Sequence, residues 1–77
     1  MEDSLTTAVA LEIRGLRNSR RMTQPELAER TGISLSTIKR IEAATTDIDV
    51  RQISLITDVL QIEVAELFRR AALIAAK

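Results

Sequence analysis

The apolar positions of this chain recur at helical rather than alternating spacing, and the pattern divides it into five segments. Leu5, Val9, Ile13 and Leu16 fall at i, i+4, i+8 and i+11, which predicts one apolar face on a first helix over residues 4–19. Thr23 precedes Glu26 by three residues, the spacing at which a hydroxyl and a carboxylate each satisfy an orphan amide at a helix start. A second helix therefore begins there, with Pro25 tolerated in a first turn whose amides lack partners anyway. Gly32 should end it, because glycine enters the left-handed conformation that a helix end wants. Ser34 is placed to cap a third helix with Ile38 and Ile41 inward, and Asp49 a fourth with Ile53, Ile56 and Leu60 inward. A fifth begins near Glu63 and carries Val64, Leu67 and Phe68. The prediction is an all-α protein, a compact five-helix bundle with loops of a few residues, of which EAATTDID over 42–49 is the most loop-like interval.

Length and composition narrow the possibilities. The 77 residues suffice for one small domain, taken here as 1–77, whose modest core makes association with a second copy a realistic expectation. A hydrophobic content of 45% beside 29% charged residues fits a folded globular protein. With one Phe and no Trp or Tyr, the core must be aliphatic, and unpaired bases would find almost no ring to stack on. Cysteine and histidine are absent, which excludes disulfides, thiolate chemistry, structural zinc through those ligands and an imidazole base. Asp47, Asp49, Asp58, Glu63 and Glu66 match no calcium-loop spacing, and Asp49 and Glu63 sit at helix starts, where the macrodipole favours negative charge. Neither enzyme, metal nor cofactor is expected. The run SLTTAVAL is too short and too polar for a signal peptide or a membrane span, so a cytoplasmic location is expected.

The most informative stretch is TQPELAERTGISLSTIKRIE, residues 23–42. Two helices that cross steeply through a tight turn need a small residue where they touch and a glycine where the chain reverses. Ala28 supplies the first and Gly32 the second, while Ile38 plugs the following helix into the core. At 100° per residue, Ser36, Lys39, Arg40 and Ala43 gather on the outer face of the third helix, with Leu35 and Thr37 on its borders. That outer face is short, polar or basic, as a surface facing a DNA groove should be. Arg40 is the best base reader, since its fork can bond guanine O6 and N7 together for about 1–3 kcal/mol of discrimination. Ser36 suits a base edge or a phosphate, Lys39 adds charge, and Leu35 either touches a thymine methyl or packs locally.

The chain resembles the Cro and repressor type of helix-turn-helix domain, a family that includes phage repressors, restriction-modification controller proteins and many antitoxins. The resemblance runs from about Leu11 to Phe68, through LEIRGLRNSRRM, the central stretch and ISLITDVLQIEVAELF. It implies a domain whose third helix enters the major groove of double-stranded DNA, usually within a homodimer on a two-fold symmetric operator. It further implies that Gln24, beside Thr23, bonds the phosphate backbone and braces the recognition helix. Arg17 and Glu42 stand where similar proteins form a partly buried ion pair. Exposed amides at the starts of helices 2 and 3 favour phosphates, which adds Ser34 and Thr37 to the expected backbone contacts. The sequence departs from the family at Leu35, where a polar or basic residue is common, and in EAATTDID, where similar proteins place an asparagine-glycine pair and basic residues. Thr45 and Thr46 remain there as neutral phosphate partners.

Leu55 and Val59 form a second apolar stripe on helix 4, read as a dimer surface. The tail RRAALIAAK extends helix 5 to residue 76, where Leu73 and Ile74 either pair with a second copy or fold back over helix 1. The zero net charge conceals a separation: residues 10–40 hold seven basic residues against three acids, a net of +4, while residues 41–66 hold Arg51 against six acids, a net of −5. The sequence thus predicts a homodimeric, sequence-specific DNA-binding regulator of transcription, in the manner of a small repressor, cytoplasmic and associated with the nucleoid when bound. The competing expectation is a protein-interaction module, such as an antitoxin, antirepressor or co-regulator, with a protein partner and little or no DNA binding.

Overall fold

The computed structural model describes residues 4–76, so the outermost ends of the expected 1–77 domain, Lys77 among them, lie outside the described residues. Five helices follow one another: α1 (Ser4–Ser19), α2 (Gln24–Thr31), α3 (Leu35–Glu42), α4 (Val50–Leu60) and α5 (Val64–Ala75). Helix α5 packs along α1, α2 packs on both α3 and α4, and α1 also meets α3. The core between them is aliphatic, built from Val9, Ile13 and Leu16 of α1, Leu27 and Ala28 of α2, Ile38 and Ile41 of α3, Ile53, Ile56 and Leu60 of α4, and Leu67 and Ala71 of α5. Phe68 and Val59 lean on this core from its edge.

The helix starts follow the local signals. Thr23 and Glu26 form a reciprocal capping box, with the Glu26 amide donating to Thr23 Oγ1 at 3.2 Å and the Thr23 amide to Glu26 Oε1 at 3.0 Å. The Thr23 amide first, and then the Thr23 hydroxyl, hold the Glu26 carboxyl below its ordinary pKa. Asp49 builds a second box with Gln52, a partner not anticipated from the sequence. Ser34 caps α3 through the Thr37 amide. Glu63 occupies the cap position of α5 but makes no side-chain cap bond, so it acts there by charge alone.

Two apolar expectations need correction. Helical spacing puts Leu5 and Val64 on inward faces, and each is 41% exposed. Both lie in the first turn of their helices, where the periodic stripe continues past the last residue able to cover it. Helix α5 ends at Ala75, one residue short of the expected 76.

The helix ends hold a regularity absent from the sequence reading. Gly32 closes α2 at φ 77°, its amide bonded to the Ala28 carbonyl. Helices α1, α3 and α4 instead close on left-handed Arg21, Ala44 and Gln61, at φ 54°, 57° and 57°. At each, the next residue's amide reaches back five positions: Met22 to Arg17, Thr45 to Arg40 and Ile62 to Thr57. This is the paired 6→1 and 5→2 closure that glycine usually serves, made here three times without glycine.

Candidate nucleic-acid interface

Helix α3 is amphipathic, with Ile38 and Ile41 buried and Ser36, Lys39 and Arg40 exposed. Leu35 is half-buried and packs against the core, leaving only part of its side chain at the surface. Thr37 is half-buried on the border. Along this face runs a chain of hydrogen bonds. Arg40 Nη2 donates to Thr37 Oγ1 at 3.2 Å, Ser34 Oγ donates to the same oxygen at 2.8 Å, and Ser34 Oγ lies 3.3 Å from Ser36 Oγ. The guanidinium of Arg40 therefore leans toward the helix start.

The angle of α3 to the other helices is held by one polar node. Arg17 Nε donates to Glu42 Oε2 at 2.7 Å and Nη2 to Oε1 at 2.9 Å, a bidentate pair joining α1 to α3. The side chains are 10% and 3% exposed, so solvent screens the pair little. The bond to Glu42 raises the Arg17 pKa above its ordinary value, against the opposing effect of burial. Arg17 Nη1 also donates to the Met22 carbonyl at 2.7 Å, and Gln24 Nε2 donates to Glu42 Oε1 at 3.1 Å, which brings α2 into the same node. Among the described residues, no buried side-chain nitrogen or oxygen is left without a partner.

Beside this node lies a shallow polar cleft of about 340 Å³, lined by Arg14, Arg17, Gln24, Lys39, Glu42 and Ala43. It joins the start of α2 to the exposed face of α3. In the sequence Arg14 registers only as charge; its position three residues before Arg17, on one side of α1, is the signal that could have found it. Thr23 sits at the mouth of α2 with its hydroxyl engaged in the capping box. Beyond α3, Thr45 Oγ1 donates to the Arg40 carbonyl at 3.2 Å and Thr46 is half-buried. The residues expected at a dimer surface lie elsewhere, on α4 and α5: Leu55, Leu73 and Ile74 are exposed, while Val59 is half-buried against the core.

A turn closed by Gly32 between α2 and an amphipathic α3, with bracing from α1, decides the family, and its profile, described as helix-turn-helix, matches residues 13–67. The chain belongs to the helix-turn-helix family. Its fold is shared with the clp gene regulator ClgR from Corynebacterium glutamicum, at 24% identity and a TM-score of 0.91, over 99% of this chain and 81% of that one. It is also similar to a point mutant of the restriction-modification controller protein C.Esp1396I, at 25% identity and a TM-score of 0.90, over 100% of this chain and 98% of that one. The same controller protein was crystallised as a tetramer in complex with its natural 35 base-pair operator; that form matches at 24% identity and a TM-score of 0.88, over 99% of this chain and 100% of that one. No curated protein matches the sequence. Among the described residues, no group of three or more His, Cys, Asp or Glu is placed to hold a metal ion, and no helix is long and apolar enough to cross a membrane.

Proposed function

We propose that this chain is a sequence-specific, double-stranded DNA-binding regulator of transcription, acting as a homodimeric repressor that lays α3 in the major groove. The observation that carries the proposal is the exposed Ser36, Lys39 and Arg40 face of α3, held by the Arg17, Glu42 and Gln24 node next to a cleft lined by Arg14 and Lys39. A rigid helix with its apolar side in the core presents that face at one fixed angle, which base readout requires. Arg40 takes guanine O6 and N7, Lys39 and Ser36 take neighbouring edges, and the exposed part of Leu35 meets a thymine methyl. Thr23, Gln24, Ser34, Thr37, Thr45 and Thr46 lie against the sugar-phosphate backbone, joined by Arg14 in the cleft. These contacts set register without reading sequence.

Two copies, associated through Leu55, Val59, Leu73 and Ile74, present their α3 helices about 34 Å apart to successive major grooves. A repressor of this kind works in the cytoplasm, on the nucleoid. Support from outside the chain comes from the controller protein's capture on its operator, an instance of the same fold engaged with DNA. The deciding experiment is selection of bound duplexes from a random pool at low salt. A two-fold symmetric motif with half-sites about one helical turn apart is the expected result. Failure to enrich any motif would instead favour a protein-interaction role.

A further inference from the structure

We infer that α3 reads each half-site with two opposite hydrogen-bonding polarities: Ser36 acts as an acceptor for an exocyclic amino group, and Arg40, oriented by Thr37, as a donor to base carbonyl or ring-nitrogen atoms. The inference rests on the DNA-binding role proposed above and adds to it the kind of base that each side chain selects.

Counting protons along the helix face assigns the polarities. A hydroxyl has one proton to donate and two lone pairs to accept with. Ser34 Oγ accepts the Thr37 amide at 3.2 Å and gives its proton to Thr37 Oγ1 at 2.8 Å. Its 3.3 Å contact with Ser36 Oγ must then take its proton from Ser36. Ser36 is left with lone pairs and no free proton. Thr37 Oγ1 accepts from both Ser34 and Arg40 Nη2, so its lone pairs are filled and only its proton remains. Arg40 has donors only, of which one is spent on Thr37.

The major groove separates these two polarities. Adenine N6 and cytosine N4 offer amino protons there, whereas guanine O6 and N7 and thymine O4 only accept. Ser36 therefore selects adenine or cytosine, and Arg40, held by Thr37, selects guanine or thymine. A serine free of this chain would accept either kind of base; the chain of bonds from Arg40 to Ser36 removes the choice.

The chain also runs through Thr37, which makes its direction testable. In Thr37→Val, Ser34 loses the oxygen that takes its proton and turns that proton toward Ser36, which frees the Ser36 proton for a base. The amide of residue 37 still caps the helix, so the fold has no reason to change. Thr37→Ser keeps the oxygen and keeps the direction.

The test compares motifs selected from random duplexes by the parent, Ser36→Ala, Thr37→Val and Thr37→Ser, each checked by circular dichroism. The expected result is one position per half-site that prefers adenine or cytosine in the parent, loses that preference in Ser36→Ala, shifts toward guanine or thymine in Thr37→Val, and returns in Thr37→Ser. In the parent protein alone, replacing that base by its amino-free analogue, purine for adenine or 2-pyrimidinone for cytosine, should weaken binding by about tenfold, the scale of one mismatch. The same replacement should leave the affinity of Ser36→Ala unchanged. A motif whose Ser36-sensitive position prefers guanine or thymine, or an analogue that binds as well as the natural base, overturns the inference and leaves DNA binding standing. If no motif is enriched at all, the proposed function itself fails and takes this inference with it.

Discussion

At the scale of single residues, Ala44 shows a cost accepted at a position that glycine would fill more easily. Its φ of 57° brings a methyl group against the following carbonyl, a conformation that costs an L-residue about 1–2 kcal/mol. Part of that returns to the unfolded chain when glycine replaces it, because glycine has more freedom to lose. Ala44→Gly should therefore raise stability by a net of about 0.5–1 kcal/mol, readable as a shift of the urea midpoint at constant slope. Arg21 and Gln61 share the backbone geometry but carry larger side chains, so Ala44 isolates the backbone effect. The same residues mark where the sequence falls short of the fold. Thr23 with Glu26, Ser34 and Asp49 were legible as helix starts because a cap is a matter of three or four neighbouring residues. The ends at Arg21, Ala44 and Gln61 were not, because nothing local forces a non-glycine residue left-handed; the packing of the next helix does. The chain from Ser34 through Thr37 to Arg40 lay in plain view at intervals of three, yet spacing alone does not say which hydroxyl gives its proton.

At the scale of helices, the Arg17 and Glu42 pair is the joint that sets α3 against α1. Removing one partner strands a desolvated charge, so Arg17→Met alone or Glu42→Leu alone should cost about 3–5 kcal/mol. Replacing both together, as Arg17→Met with Glu42→Leu, should restore stability to about the parent level, since packed apolar groups need no partner. A double-mutant cycle by chemical denaturation checks this, and additive losses would contradict it. Helix α5 holds a second cluster of a different kind. Arg69 Nη2 and Arg70 Nε donate to Glu66 Oε2 at 2.6 and 2.8 Å, and these bonds, Arg69's first, bring the Glu66 carboxyl down to about 2. A depressed carboxyl means that the folded state binds fewer protons than the unfolded one below the ordinary value of 4.5. Its stabilisation is complete above pH 4.5 and disappears as the pH falls through 2. Glu66→Gln should flatten the dependence of melting temperature on pH within that window by lowering the melting temperature slightly at neutral pH and leaving it unchanged near pH 2, the effect being small because the pair is exposed. Periodicity placed α5 correctly but overreached at Val64, as it did at Leu5 on α1: a stripe predicts which face is inward, not how far the neighbouring helix extends to cover it.

At the scale of the whole molecule, the neutral total divides along the chain in a way that matters for a polyanion. The net +4 of residues 10–40 belongs to the part that contains α2, most of α1 and most of α3, the same helices that line the polar cleft. The compensating −5 of residues 41–66 belongs to Glu42 at the end of α3, where it pairs with Arg17, to the loop after α3, to α4 and to the start of α5. Charge separation within one chain gives a basic working face without the broad attraction of a cationic surface. Because the loop after α3 contributes threonines rather than lysine or arginine, the proposed DNA contact would rest a larger share of phosphate binding on each remaining cation. Arg14→Ala should weaken binding to specific and random duplexes alike and reduce the slope of log affinity against log salt by about one per protomer. An unchanged slope would remove Arg14 from the phosphate contacts. This share of the site was half legible: the outer face of α3 followed from helical angle, but the meeting of Arg14 with Lys39 across a cleft depends on how α1 crosses α3, which no local pattern specifies.

The node formed by Arg17, Gln24 and Glu42 also sets an order in time. Arg17 and Glu42 are 25 residues apart, and their charges leave water only when three helices are already together. Until then the pair gains little and each ion keeps its hydration, so the bond is expected to close late, with Arg17→Ala raising the unfolding rate and leaving the folding rate nearly unchanged in chevron kinetics. Interactions that form late leave the folding rate nearly untouched and slow the reverse step. The node therefore works as a latch on the folded domain: it lengthens the lifetime of the assembled bundle, and with it the time for which α3 stays at its working angle.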